Sequence, residues 1–240
     1  MLEYSRLIIE AEKAINWIKE FVESSGAEGI VVGNSGGKDS ATVIAMATRA
    51  LGKDKVLTIA MPCNSIKEDL EDAKLVSMTF GVPCIEVDLS NSYNQFENDI
   101  NNVLKTSLGT ELINEAKVNS KPRFRMTTLY SVAQSMNYLV IGTGNLCEQM
   151  VGYTTKWGDN ASDFNPIGNF TVREVLAIGK YLGVPDKIIS KAPSDGLGSL
   201  SDEDKMGIKY SEIADNFSTK LCKFSAFLYW PALLRSSISL

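Results

Sequence analysis

The stretch Gly29-Ile-Val-Val-Gly33-Asn-Ser-Gly-Gly-Lys-Asp-Ser40 reads as a buried strand, a glycine-rich loop and the start of a helix. Its apolar run is short and bounded by turn residues, the pattern of a strand covered on both faces. Upstream, Leu2, Leu7, Ile8, Ala11, Ile15, Ile18 and Val22 recur at helical spacing, so the first two dozen residues predict an amphipathic helix ended by Gly26. Downstream, residues 39–51 predict a helix, 56–61 a strand closed by Pro62, 69–80 a helix stopped by Gly81-Val-Pro83, and 84–88 a third strand. Strand and helix in alternation mean parallel strands with crossovers, an α/β doubly wound parallel sheet in a single domain. Residues 90–120 are polar and asparagine-rich, with helical stretches and no strand signal. A helix over 124–136, a strand over 138–141, a functional loop rich in Gly and Asn up to Gly168, and a helix over 171–182 follow. The Ser-, Pro- and Gly-rich run 190–201 reads as a mobile stretch.

The chain has 240 residues, 44% hydrophobic and 22% charged, an ordinary globular composition that excludes disorder and collagen-like repeats. Apolar runs reach about five residues, as in Ala226–Trp230, against the roughly 20 of a membrane-spanning helix. No basic-then-apolar leader opens the chain, so no signal peptide is expected. A net charge of −5 makes a poor nucleic-acid surface. There is no histidine, which removes Ser-His-Asp and Cys-His catalysis, histidine bases and histidine metal sites. Cys63, Cys84, Cys147 and Cys222 form no C-x-x-C, which fits a reducing, cytoplasmic compartment.

A loop from a buried strand into a helix is where an open α/β sheet binds phosphate: backbone amides and the positive helix end face the ligand. Gly36 and Gly37 carry no Cβ, so a polyphosphate can approach the backbone, and Ser35 and Ser40 add hydroxyls. A Walker A loop is excluded, because Val32 and Asp39 stand where it needs Gly and Ser or Thr. The six residues Ser35–Ser40 instead resemble the S-G-G-x-D-S loop of the ATP-pyrophosphatase (PP-loop) family, which cradles the pyrophosphate half of ATP. That resemblance implies a Rossmann-like adenine nucleotide alpha hydrolase fold.

Further pieces follow in order: Asn119-x-Lys-x-Arg-x-Arg-Met126, then Gly142-Thr-Gly-Asn-x-x-Glu148, then Gly152-Tyr-Thr-Thr-Lys-Trp-Gly-Asp159, then Lys191-Ala-Pro-Ser194, then Ser201-Asp-Glu-Asp and Gly207-Ile-x-Tyr210. Together they resemble the ammonia-dependent NAD synthetase family, over about residues 5–215. The resemblance implies an NAD synthetase-like domain over 1–215 and a divergent tail over 216–240. It implies a C–N ligase that adenylates the nicotinate carboxylate of deamido-NAD with ATP and lets ammonia displace AMP. It also implies a homodimer, for which the apolar stripe of the first helix offers one seam, although that stripe serves equally to cap the sheet.

Carried over position by position, Gly33, Asn34, Ser35, Gly36, Gly37, Lys38, Asp39, Ser40, Thr143 and Ser194 are the expected ATP-binding residues. Asp39 and Glu148 are the expected Mg²⁺ ligands, a hard oxygen site of the kind this ion takes. Arg125, Lys156 and Asp163 are the expected contacts to deamido-NAD, with Arg123 a weaker one, and Asp159 is expected near the ammonia, with Asp39 in the catalytic set. Lys38 fills a variable position and carries no expected catalytic role. Simpler readings stand beside these: Arg123 and Arg125 as surface charges, Lys156 paired with Asp159, and Cys147 as a packing residue.

The chain departs from the family at Val172, where members usually carry a lysine for the ATP phosphates, and in lacking a tail His-Lys pair. No glutaminase domain is expected. Two other readings stay open: another PP-loop adenylating enzyme, such as a tRNA thiolase, or a catalytically weak nucleotide-binding paralogue. The negative charge and lone cysteines oppose the thiolase.

Overall fold

Ile30, Val31 and Val32 are wholly buried because β1 (Gly29–Gly33) runs through the middle of a sheet covered on both sides. The structure is a computed structural model that describes residues 2–191 and 212–213. β1 pairs in parallel with β2 (Val56–Ala60) on one side and β4 (Tyr138–Val140) on the other, and β3 (Cys84–Glu86) adds to β2, giving the order β3-β2-β1-β4. The register sets Val31 beside Leu57 and Val140, and Ile30 beside Val56 and Leu139.

Period-two alternation then assigns each face its own core. Ile30, Val32, Val56, Leu139 and Ile141 point to the layer of α1 (Leu2–Ser25), α2 (Lys38–Leu51), α3 (Lys67–Phe80) and α7 (Val172–Leu182). Val31, Leu57, Ile59 and Val140 point to the layer of α4 (Ser90–Leu108) and α5 (Asn114–Met136). Each fully buried aliphatic side chain contributes about 1.5–3 kcal/mol. The result is the expected doubly wound α/β single domain. Among the described residues no helix is long and apolar enough to cross a membrane.

The stripe of α1 is spent inside the subunit. Ala11, Ile15, Ile18 and Val22 are buried in the core, and Trp17 meets Phe164 edge-on and Phe21 meets it tilted, at 5.6 and 4.7 Å between ring centroids. Of the two readings of that stripe, capping the sheet is the one the packing supports.

Several bounds differ from expectation. α5 starts at Asn114 rather than at residue 124 and runs through Pro122, a residue that ordinarily breaks or kinks a helix interior. Pro122 is buried under the turn at Gly158, where an added Cβ would lie 2.9 Å from the proline. Within the expected loop 142–168, Leu146–Val151 forms a short helix, α6. Past α7, Asp186–Ile189 forms α8. The strand over 84–88 shortens to three residues, all exposed, as suits a sheet edge. Among the described residues Cys63 and Cys147 are buried free thiols and Cys84 is an exposed one. Ser194, most of the 190–201 stretch and the 216–240 tail lie outside the described residues.

α2 and α7 approach closely because Gly179 has no side chain: a Cβ there would lie 2.7 Å from Thr42 Oγ1 and 2.8 Å from Ile189 Cδ1. Gly179→Val is therefore expected to lower stability by about 1–3 kcal/mol through overpacking. An unchanged urea midpoint would contradict this packing.

Candidate nucleotide site

All four strands point one way, so their C-terminal ends share one edge. After β1 the chain crosses to β2 and β3 on one side, then returns to place β4 on the other. The reversal falls between β1 and β4, and it opens a crevice where the loops leave in opposite directions. The loops that leave β1 and β4 there are 33–40 and 141–145, the two segments singled out in the sequence.

The first loop is held from beneath. Asn34, buried, donates from Nδ2 to the Ala73 carbonyl at 2.8 Å and to Ser77 Oγ at 3.0 Å, while its Oδ1 accepts the Gly36 amide at 3.1 Å. Gly36 has φ +71°, and a Cβ there would lie 2.7 Å from the Asp69 carbonyl and 2.7 Å from Asp72 Cβ. The glycine is thus required by α3 below as well as by any phosphate above. Ser35 Oγ accepts the Gly37 amide at 3.2 Å and lies 3.1 Å from Ser40 Oγ. Gly37 is the N-cap of α2 and supplies no side-chain cap, so the first amides of a 14-residue helix face the crevice with its positive dipole end. Lys38, buried, sets its Nζ 3.1 Å from Asp39 Oδ2.

The second loop is ordered by a capping box. Asn145 Oδ1 accepts the Glu148 amide at 3.1 Å, and Glu148 Oε2 accepts the Asn145 amide at 2.9 Å. Asn145 also donates from Nδ2 to Asp39 Oδ1 at 3.4 Å. One wholly buried asparagine therefore touches both carboxylates expected to hold Mg²⁺. The sequence resemblance gives Asn145 no role, although the spacing Asn145-x-x-Glu148 is itself a helix-start signal. Among the described residues no group of three or more Cys, Asp or Glu gathers as a metal cluster. Two carboxylates fit Mg²⁺, which keeps its waters and takes phosphate oxygens for the rest of its shell.

The remaining expected residues are fixed by local partners. Arg125 on α5 donates from Nε to the Met61 carbonyl at 3.2 Å and from an η nitrogen to Ser65 Oγ at 3.3 Å, which fixes its guanidinium against the loop after β2. Arg123 donates to the Lys156 carbonyl at 3.2 Å, and Thr155 Oγ1 to Asn119 at 2.9 Å, so the 155–159 turn is tied to α5. Lys156 places its Nζ over the Trp157 ring, 5.7 Å from the centroid, while Asp159 accepts the Thr155 amide at 2.7 Å. Trp157 is exposed and holds φ +61°, a conformation costly for a bulky side chain.

Asp163 sits apart from the phosphate loop. It exchanges hydrogen bonds with Val140, extending the sheet into the bridge between Ile141 and Phe164. It lines a cavity of about 340 Å³ with Tyr130, Ala133, Gln134 and Tyr138. Burial raises the Tyr130 hydroxyl pKa, and the Asp163 charge raises it further.

The NAD synthase family model matches residues 10–224. This chain belongs to the NAD synthase family. It is 44% identical over 205 residues to the NH(3)-dependent NAD(+) synthetase of Carboxydothermus hydrogenoformans, spanning 85% of this chain and 82% of the relative. An NMN synthetase structure from Francisella tularensis superposes with a TM-score of 0.82 at 33% identity, covering 91% of this chain and 88% of that one. An NH3-dependent NAD synthetase structure from Campylobacter jejuni gives a TM-score of 0.70 at 32% identity, covering 91% and 89%.

Within the NAD synthase fold, Val172 is an interior residue rather than a crevice-facing one. It is 6% exposed and packs with Cys147 and Ile213. A lysine there would have to bury its ammonium or displace that cluster. Cys147 is fully buried and its thiol is pushed up by burial, as befits a packing residue.

Asp159 keeps an exposed edge, yet the protein atoms around its carboxyl raise its pKa; the hydrogen bonds from Thr155 and the charge of Arg125 pull down without cancelling that rise. A carboxyl raised in the folded state costs stability once it ionises. The cost is absent below the ordinary Asp pKa and is complete above the raised one. Asp159→Asn is therefore expected to match the wild type in urea stability at acidic pH and to exceed it at neutral pH. A difference between the two proteins that does not change with pH would contradict the assignment.

Proposed function

We propose that the chain amidates deamido-NAD to NAD with ammonia, at the expense of ATP. The observation that carries this reading is the meeting of the two loops at the β1/β4 crevice, with Asn145 touching Asp39 and Glu148. The nicotinate carboxylate attacks the α-phosphorus of ATP and pyrophosphate leaves, taking the electron pair of the broken P–O bond. Ammonia then adds to the acyl carbon of the adenylate, the adduct loses a proton, and AMP departs as the amide forms.

The chain's own groups match what these steps demand. Amides of Gly37–Ser40 and the end of α2 hold the β- and γ-phosphates, and Ser35, Ser40 and Thr143 add hydroxyls. Ser194 is assigned to ATP by resemblance alone. Asp39 and Glu148 would hold Mg²⁺, which when bound neutralises charge on the leaving pyrophosphate. Arg125, Lys156, Asp163 and, more weakly, Arg123 are the groups for the dinucleotide. Asp159, with its raised carboxyl, is suited to accept the proton lost from the ammonium adduct. Both nucleophiles are reactants, so no histidine is needed and positioning supplies much of the rate.

A second reading is favoured by the TM-score of 0.82 to the protein described as an NMN synthetase: the same amidation on the mononucleotide. Purified protein with ATP, Mg²⁺ and ammonium, offered deamido-NAD or nicotinate mononucleotide, separates the two. Pyrophosphate release and amide product only with the dinucleotide support the first reading, and a preference for the mononucleotide replaces it. In that assay Asp39→Asn is expected to lower kcat/KM by roughly 100-fold or more, and Glu148→Gln similarly. The double variant should fall short of the product of the two, because both hold one ion; full additivity would assign them separate roles.

The homodimer is part of the same proposal. Phe96, Ile100 and Val103 form an exposed apolar row at helical spacing on α4, and Ile113 stands exposed at the start of α5, a face suited to a second copy. Sedimentation at micromolar concentration should show twice the 26.2 kDa chain mass, and Val103→Glu should return it to the monomer. A monomeric wild type would overturn the dimer.

A further inference from the structure

Asp72 on α3 has no solvent exposure, and a carboxylate so placed persists only with partners. Two ammonium groups supply them from a distant part of the chain. Lys187 on α8 sets Nζ 2.5 Å from Oδ1, and Lys191, just past α8, sets Nζ 2.6 Å from Oδ2. Lys191 reaches Asp69 as well, at 2.9 Å, and Lys187 reaches Glu68 at 3.6 Å. Burial alone would raise the Asp72 carboxyl, but the two lysines outweigh it and hold it low: Lys191 donates to Oδ2, while the Lys187 ammonium faces Oδ1 as a charge contact without hydrogen-bond geometry.

The same turn of α3 carries the phosphate loop on its other side. Gly36 rests against Asp72 Cβ, the Asp69 carbonyl and the Ala73 amide, each of which would lie within 2.9 Å of an added Cβ. Asn34 is bonded to the Ala73 carbonyl one residue on. A shift of this turn therefore moves Gly36 and Gly37 with it. Interiors transmit such shifts because they are close-packed. Asp72 itself has no solvent-facing atom with which to meet a substrate.

We propose that the Asp72–Lys191 ion pair is a positioning device for ATP, fixing the seat of the Gly36–Gly37 turn through α3. This rests on the ATP-dependent reading above. The pair spans 119 residues of sequence and joins the segment after α8 to the floor of the phosphate loop. It acts on the nucleotide through the backbone, so it should set ATP affinity and leave the dinucleotide's binding alone.

The test uses the full chain, with titration of ATP–Mg²⁺ by calorimetry and steady-state kinetics for Lys191→Met, Lys191→Arg and Asp72→Asn. Lys191→Met is expected to weaken ATP binding about tenfold, with the KM for deamido-NAD within about twofold of wild type. Lys191→Arg should recover part of the loss. The double variant Asp72→Asn/Lys191→Met should be little worse than the worse single one. Should Asp72→Asn fail to fold, Lys191→Met decides alone, since the Lys191 side chain is 24% exposed and its loss leaves Lys187 on the buried carboxylate. If Lys191→Met melts earlier but binds ATP as the wild type does, the pair is merely structural and the proposal is overturned. A wild type that fails to bind ATP overturns both readings. A wild type that binds ATP but forms no NAD overturns the function alone and leaves the titration to judge the pair.

Discussion

Everything at the crevice depends on how the chain leaving β1 is seated on α3. A strand that ends in a glycine-rich loop has no preferred direction of its own, because glycine confers freedom rather than shape. Asn34 removes that freedom with three hydrogen bonds from one buried side chain, two to α3 and one to the Gly36 amide. Leaving those polar atoms unpaired in the interior would cost about 1–3 kcal/mol each, so the loop has one low-energy seat. Its amides are thereby aimed before any ligand arrives, which is the condition under which fixed dipoles stabilise charge.

The second loop is organised by the same device. Asn145 is buried, satisfies the start of α6 and reaches across to Asp39. In both loops a buried asparagine handles the geometry. That arrangement suits a site without histidine. On the proposed reaction no group must shuttle protons between reactants held far apart, and the protein's task would reduce to holding phosphates, a carboxylate and ammonia in line. Neutral amides can hold a loop rigidly without adding charge beside a polyphosphate, whereas a buried carboxylate in the same place would repel it. Where a buried carboxylate does occur, at Asp72, two lysines compensate it.

Much of this was legible in the sequence, for physical reasons that differ by region. The order of the first three strands could be read because their apolar runs are short and end at Gly or Pro. The phosphate loop could be read because its glycines and hydroxyls are contiguous. α6 was hidden inside a glycine-rich stretch that looked like loop, although Asn145 and Glu148 carried its cap. The early start of α5 lies in a polar, asparagine-rich segment without a helical apolar stripe, and it contains Pro122, which packs under the turn at Gly158, far away in sequence. Val172 illustrates the limit most directly. Read beside its relatives, it looks like a lost phosphate contact, yet its side chain lies against Cys147 and Ile213, where a valine is what the packing requires.

Packing also separates the fate of the two apolar surfaces. A helical stripe states only that one face must leave water; it does not say what covers it. On α1 the cover is α2, α7 and the aromatic pair with Phe164, all within the chain. On α4 the row of Phe96, Ile100 and Val103 keeps an exposed edge after the domain has closed its own core, although Phe96 also packs on Phe124. The two helices are therefore not interchangeable as seams. α1 cannot be lifted to meet a partner without exposing the buried Ile15 and Ile18, each a loss of about 1.5–3 kcal/mol, whereas covering the row on α4 exposes nothing.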